Sequence, residues 1–198
     1  MTRAEQKLLT RQRILAAAGR GFRQGGFGGI GVDGLAKEAG VTSGAFYGHF
    51  DSKASAFSEA LAAGMTDLKD GVRHFQTTYG ATWWAQFVRF YLGDKRRCAL
   101  AQSCALQSLA PEVARADAPA RTAFEAELLQ VAQLVAAGPA ATDAPADLDA
   151  AMAALATLVG AVTLSRAVSA TAVAEQIALA SERLLLPNHA PLDPATSL

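Results

Sequence analysis

The sequence predicts an all-α protein in which three N-terminal helices form a small head and a fourth helix joins that head to a larger helical body. Apolar residues recur along most of the chain at the spacing of a helical face, and no segment alternates as a strand does. Hydrophobic residues occupy 51% of the 198 positions, which is enough for a sizeable core. We therefore expect a head over residues 1–53 and a body over residues 54–198.

The first helix is predicted over residues 3–24. Its inward face carries four apolar residues, Ile14, Leu15, Ala18 and Phe22. Gly19 and Gly21 lie inside this helix, and each costs up to about 1 kcal/mol of helix propensity relative to alanine. Residues 25–34 are dense in glycine, so we expect the head to be loosely held there.

Residues 31–50 predict a helix, a tight turn and a second helix. One helical face is formed by Val32, Leu35, Ala36 and Ala39. Gly40 suits the left-handed residue that ends many helices, and the side-chain oxygen of Thr42 or Ser43 can cap the next helix. The second helix buries Phe46 and Phe50. This pattern indicates a helix-turn-helix motif.

The outer side of the second helix suits contact with DNA. Its residues are small or form hydrogen bonds, so its backbone can lie deep in a major groove while polar groups reach phosphates or base edges. Lys53, just beyond the helix, is a natural phosphate contact. The candidate DNA-binding residues are Thr42, Ser43, Gly44, Ala45, Tyr47, His49 and Lys53. The alternative is an ordinary corner of two helices in which Tyr47 and His49 are only solvated.

The run GVTSGAFYGHFDSK, residues 40–53, resembles the recognition-helix segment of the TetR family of transcriptional regulators. The resemblance extends over residues 8–67, and it departs from the family where Gly31 stands in place of the usual Thr or Ser cap. It implies a ligand-responsive regulator, most simply a dimeric repressor released from a palindromic DNA operator by a small hydrophobic or aromatic effector. It also implies a homodimer interface made by the last two helices of each chain.

The charge distribution agrees with a DNA-binding head. Residues 1–53 hold eight basic and four acidic residues, a net charge of +4, and the remaining 145 residues hold ten basic and fourteen acidic residues, a net charge of −4. Positive charge concentrated in the head attracts a polyanion. Alternatively, the basic residues only cover the solvated face of the first helix.

The body is predicted to consist of a long linking helix and five more. The linking helix starts at Asp51 or Ser52 and carries an apolar stripe from Phe57 to Phe75. The others cover residues 82–92, 96–109, 118–137, 147–169 and 171–186. The last two are apolar nearly all round, which favours packing against a second copy of the chain. They could instead form the core of a monomer.

The body also contains candidates for an effector pocket. Aromatic and small apolar residues that could line it are Phe75, Trp83, Trp84, Phe87, Cys98, Cys104 and Phe124. The same residues could be plain core. Cys98 follows three basic residues near the predicted start of a helix, an environment that could activate a thiol for redox or electrophile sensing. The alternative is a small buried residue.

Other classes of protein find little support. The three histidines have no metal-ligand spacing, and no nucleophile or phosphate-loop motif occurs, so we expect no enzyme, no metal and no cofactor. The N-terminus is charged, and the uncharged stretch over residues 150–165 is shorter than the ~20 residues of a membrane span. A cytoplasmic protein without membrane contact is therefore expected. The alternative function is a dimeric nucleoid-associated or ligand-binding protein without operator-specific repression.

Overall fold

A computed structural model describes residues 2–189 of the chain. These residues form nine α-helices. They are α1 Arg3–Gly29, α2 Val32–Ala39, α3 Ser43–Tyr47, α4 Lys53–Tyr79, α5 Trp83–Phe90, α6 Ala105–Val113, α7 Ala118–Ala136, α8 Leu148–Ala167 and α9 Thr171–Leu185. No strand occurs within those residues. The all-α fold is confirmed, and the last three helices lie within two residues of their predicted bounds.

The helices group into two compact units. The head unit comprises the residues up to Asp67 together with Ala99–Glu127, and the body unit comprises Leu68–Cys98 together with the residues from Leu128 onward. The head unit therefore includes α6 and the first part of α7, which the predicted boundary at residue 53 assigns to the body.

The core of the head unit is aromatic and aliphatic. Phe22 is fully buried on α1, and its ring lies 6.0 Å from that of Phe27 and 5.2 Å from that of Phe57 on α4. Helix α1 is longer than predicted because one further turn follows a break at Gly26, where φ is +70°. Only glycine adopts that conformation without strain. Arg23 donates a hydrogen bond to the carbonyl of Ala101 and so ties α1 to the second segment of the unit.

The body unit is organised around two buried indoles. The Nε1 of Trp83 donates to the carbonyl of Pro139 at 2.9 Å, so this ring is buried without an unpaired donor. Gly138 permits that approach, because a Cβ at this position would lie 2.7 Å from the ring. Ion pairs join Arg89 to Glu182 and Arg96 to Glu175, linking the segment after residue 83 to α9.

The prediction of one helix over residues 96–109 is wrong. A π-turn, Tyr91–Lys95, follows α5, the chain bends at Cys98, and α6 starts only at Ala105. The guanidinium of Arg166 donates to the carbonyls of Lys95 and Cys98 at 2.8 and 3.0 Å. These are the acceptors that a continuing helix would use, so a contact from α8 ends the helix.

This correction changes the surroundings of both cysteines. Cys98 lies just after a helix end rather than at a helix start, so a helix N-terminus does not act on its thiol. The cation beside its Sγ is instead the guanidinium of Arg166, at 3.6 Å. Cys104 is the N-cap residue of α6, so the two cysteines are not on one helix as the sequence predicted. Both are half-buried free thiols.

Helix α8 is longer than the uncharged stretch over residues 150–165 from which its length was judged. It has 20 residues and a mean hydropathy of 1.7, and within the described part of the chain it is the single helix that could span a membrane by length and composition. Its buried face, which includes Leu155, Leu158 and Val162, packs within the body unit. About 39% of its apolar window is buried there.

Candidate nucleic-acid interface

The turn between α2 and α3 has the chemistry predicted for it. Gly40 ends α2 with φ 67° and ψ 38°, and its N–H donates to the carbonyls of Ala36 and Lys37. The N–H of Val41 reaches back to Ala36 at 2.9 Å. These bonds use the carbonyls that the helix end leaves free, so the direction of the chain into α3 is fixed.

A basic residue of α1 adds to this turn. The guanidinium of Arg13 donates to the carbonyl of Ala39 at 2.7 Å and to that of Gly40 at 3.3 Å. Its positive charge lies at the C-terminal end of α2, where the helix dipole is negative. The first helix thus helps to hold the motif together.

Helix α3 is short, and two phenylalanines hold it in place. The hydroxyl of Thr42 accepts a hydrogen bond from the N–H of Ala45 at 3.1 Å and caps the helix. Phe46 and Phe50 are buried, with their ring centroids 5.5 Å apart. The helix ends at Tyr47, three residues before the predicted end, because the N–H of Gly48 turns back toward several carbonyls of the last turn.

The structure places all seven predicted DNA-binding residues on this short helix and its flanks. Thr42, Gly44 and Tyr47 are exposed, and the Tyr47 side chain retains 56% of its accessible surface. The other four are half-buried: Ser43, Ala45, His49 and Lys53. The segment therefore presents small groups and one phenol to solvent.

Two of the half-buried residues already make contacts inside the protein. The hydroxyl of Ser43 donates to the carboxylate of Asp33 on α2. The ammonium of Lys53 lies 4.5 Å from the ring centroid of Phe27, a cation–π contact. For either group to contact DNA, it would have to leave its internal contact.

His49 differs from both. Its Nδ1 is buried and has no hydrogen-bond partner among the described residues.

The predicted pocket residues are divided between the two units. Phe75, Trp83, Trp84 and Phe87 form one aromatic cluster in the body, with centroid distances of 5.6 Å for Phe75 and Phe87 and 6.0 Å for Trp84 and Phe87. Cys98 belongs to the same unit, whereas Cys104 and Phe124 belong to the head unit. The sequence placed them in one group because its pattern does not reveal that residues 99–127 belong with the head.

Comparisons with known proteins agree with this reading of the motif. Residues 14–60 match the family model described as bacterial regulatory proteins, tetR family. No curated protein matches the chain.

Solved structures share the fold over most of the chain. The reduced form of NemR from E. coli has a TM-score of 0.70 at 18% identity and covers 89% of this chain and 94% of its own. A TetR-family transcriptional regulator from Cytophaga hutchinsonii has a TM-score of 0.67 at 19% identity and covers 91% of this chain and 94% of its own.

The capped turn, the exposed short helix and the helical body define a helix-turn-helix DNA-binding protein. Residues 14–60 match the tetR family of bacterial regulatory proteins, and the fold over about nine tenths of the chain is the one that solved TetR-family regulators have. Members of this family are soluble DNA-binding proteins and generally not enzymes, and they typically respond to a ligand and form dimers.

Proposed function

We propose that this protein is a dimeric repressor that binds a palindromic operator and is released from it by a small hydrophobic or aromatic molecule. The observation that carries the proposal is the geometry of α3, which is held by buried Phe46 and presents Thr42, Gly44 and Tyr47 outward. A backbone lined by small residues fits closely into a major groove.

The residues of this segment have separable roles in the proposal. Tyr47 and Lys53 contact phosphates, which sets affinity for any duplex, whereas Ser43 and Ala45 face base edges and set sequence preference. Phosphate contacts release counterions, so they also make affinity depend on salt.

Exposed apolar side chains support a dimer. Leu164 on α8 and Leu184 on α9 keep 58% and 69% of their accessible surface, and Leu148 and Val173 on the same two helices are also exposed. The body core does not cover these four side chains, so they are available for contact with a second copy of the chain. For a two-fold dimer through α8 and α9 to bind successive major grooves, its two copies of α3 would have to lie about 34 to 36 Å apart, one turn of DNA.

The effector is proposed to bind at the aromatic cluster of Phe75, Trp83, Trp84 and Phe87. Trp83, Trp84 and Phe87 are buried and in ring contact, so a planar apolar molecule binds here by separating these rings. In one form of the dimer the heads lie too far apart to reach adjacent grooves. If the effector binds this form more tightly by ~3 kcal/mol, DNA affinity falls by about two orders of magnitude.

The dimer is tested by light scattering coupled to gel filtration. Leu184→Glu places a charge on the proposed interface. Leu8→Glu is the matched control, because Leu8 is an exposed leucine on α1, outside that interface. We expect the wild type and Leu8→Glu to be dimers and Leu184→Glu to be a monomer with an unchanged circular dichroism spectrum. A monomeric wild type, or a dimeric Leu184→Glu, contradicts the proposed interface.

DNA recognition is tested by selecting duplexes from a random pool and measuring affinity for selected and unselected sequences at several salt concentrations. Lys53→Ala should weaken both by the same factor and reduce the salt slope by about one. Ala45→Ser should change which sequences are selected. Equal wild-type affinity for all sequences would favour the nucleoid-associated alternative.

A further inference from the structure

An acidic side chain lies beside the recognition helix α3. Asp33 is the second residue of α2 and is exposed, and its carboxylate accepts a hydrogen bond from the hydroxyl of Ser43, the first residue of α3. In a helix-turn-helix protein the N-terminal residues of the recognition helix contact base edges in the major groove. The carboxylate of Asp33 therefore lies next to a position from which bases are read.

The negative charge of Asp33 needs an explanation on a surface that meets a polyanion. Glu38, on the same helix, forms an ion pair with Arg20 at 2.9 Å, whereas no cation pairs with Asp33 within residues 2–189. A negative charge that faced only phosphates would lower affinity for every duplex. A carboxylate at this place favours binding only where it accepts a hydrogen bond from a base.

The hydrogen bond with Ser43 determines what Asp33 presents to DNA. The hydroxyl of Ser43 has a single proton, which it donates to Oδ1 of Asp33. An ionised carboxylate has about four lone-pair sites and no donor, so this one bond orients the group and leaves acceptor sites free. Asp33 therefore offers acceptors only, in an orientation that Ser43 holds.

The residues that follow Ser43 allow a short side chain to approach the bases. Gly44 is exposed and has no side chain, and Ala45 carries only a methyl group. Both are shorter than an aspartate, so neither keeps the backbone of α3 away from the floor of a groove. The carboxylate of Asp33 can thus reach a base edge without leaving Ser43.

The chemistry of the major groove selects one base for such a group. Cytosine presents its N4 amino donor there, whereas guanine and thymine present acceptors. Adenine presents an N6 amino donor beside the N7 acceptor, and N7 repels the second oxygen of a carboxylate. Cytosine is therefore the base that pairs with a carboxylate without an opposed acceptor.

We propose that Asp33, held by Ser43, reads one cytosine in each half of the operator. The inference rests on the proposed function, because it assigns a base within the operator which that function requires. Asp33 contacts the base, and Ser43 is a positioning residue that sets sequence preference through Asp33 while keeping its internal contact. The sequence pattern did not identify Asp33, because the bond joins two helices across ten positions of the chain.

Selection of duplexes from a random pool tests the assignment with two variants of Asp33. Asp33→Asn keeps an acceptor for Ser43 and adds an amide donor, which suits the N6 and N7 of adenine. The wild type should select cytosine at one position of each half-site, and Asp33→Asn should select adenine there, with a change of about tenfold in the relative affinity for the two bases. Asp33→Ala should accept all four bases at that position within about threefold. The other positions should stay as in the wild type.

Glu38→Gln is the matched control for charge. Glu38 is an exposed acid on the same helix, and it contacts Arg20 rather than α3. Its replacement removes the same negative charge and should leave the selected bases unchanged. The assignment is overturned if the Asp33 variants select the same bases as the wild type, or if they change affinity for all sequences by one common factor.

Variants of Ser43 test its positioning role. Ser43→Ala releases the carboxylate and should weaken the preference at the same position of the half-site, whereas Ser43→Thr keeps the hydroxyl and should retain it. Because Ser43 acts through Asp33, the double variant Asp33→Ala, Ser43→Ala should be no less selective than Asp33→Ala alone. Selectivity lost at a different position in Ser43→Ala contradicts the pairing of the two residues.

The outcomes separate this inference from the function on which it rests. If the wild type selects an operator and the Asp33 variants select the same one, only the assignment of Asp33 fails. Equal wild-type affinity for all duplexes overturns both. An acid in the first turn also favours the start of a helix, so circular dichroism verifies that each variant is folded. A purely structural role of Asp33 would change stability and leave the base preference as it is.

Discussion

Replacing Gly40 by alanine tests whether the left-handed end of α2 determines the recognition turn. An L-residue at φ 67° costs about 1–2 kcal/mol. Alanine recovers about 0.4–1 kcal/mol by restricting the unfolded chain. Its Cβ would lie 3.1 Å from Nη2 of Arg13, and weakening the hydrogen bond of that group to Ala39 adds ~0.5 kcal/mol. The net expected loss of unfolding free energy is about 0.5–2 kcal/mol.

Two further variants separate the causes. Gly40→Asn adds the same Cβ against Arg13, but asparagine tolerates the left-handed region, so it should cost less than alanine. Gly71→Ala serves as a control of opposite sign. Gly71 lies inside α4 with nothing within 4 Å of an added Cβ, so alanine should stabilise the helix by about 0.5–1 kcal/mol.

The assay is thermal unfolding followed by far-ultraviolet circular dichroism at one protein concentration. For a chain of this size about 1 kcal/mol corresponds to a Tm change of roughly 2–4 °C. Gly40→Ala should therefore melt several degrees below the wild type, and Gly71→Ala above it. The reasoning is refuted if Gly40→Ala is as stable as the wild type, or if asparagine costs as much as alanine.

Other contacts lead to predictions of the same kind. Thr42→Ala removes the cap of a five-residue helix at a cost of ~1 kcal/mol, so gel shifts should show weaker DNA binding, whereas Thr42→Ser should bind as the wild type does. Burial alone would raise the pKa of Asp143. The hydrogen bonds from His189 and Asn188 outweigh this effect and hold the pKa below its ordinary value of 3.8. The stability this provides is complete above pH ~4 and lost as the pH falls through the lowered value, so Asp143→Asn should flatten the acid side of a stability profile. Glu182→Ala removes the mostly buried partner of Arg89 and should cost ~2 kcal/mol in chemical denaturation, whereas Glu182→Gln should cost less.

Local chemistry explains which parts of the fold the sequence predicted. The turn at residues 40–42 depends on a left-handed glycine and a capping hydroxyl within a few positions of each other, and both occur as expected. The last three helices were similarly readable because Gly138 and Asp147 mark their ends. In each case the decisive interaction joins near neighbours.

Where the sequence prediction fails, the cause is a contact between residues that lie far apart in the chain. The helix predicted from residue 96 is ended by Arg166, whose donors reach a carbonyl 71 positions earlier in the chain. The carboxylate of Glu112 accepts a hydrogen bond from the N–H of Phe27, 85 positions earlier in the chain. The glycine run at residues 25–29 was visible, but its effect could not be deduced without the partner segment. Periodicity carries no information about such pairs.

The same distinction explains why similarity in sequence is confined to the head while similarity in fold extends over the chain. The family model matches residues 14–60, whereas the solved relatives cover about nine tenths of the chain at 18 and 19% identity. A capped turn accepts few residues at each position, so its sequence is constrained. A helical body requires only apolar faces of suitable volume, which many sequences provide. The fold can therefore persist while the sequence outside the recognition turn diverges.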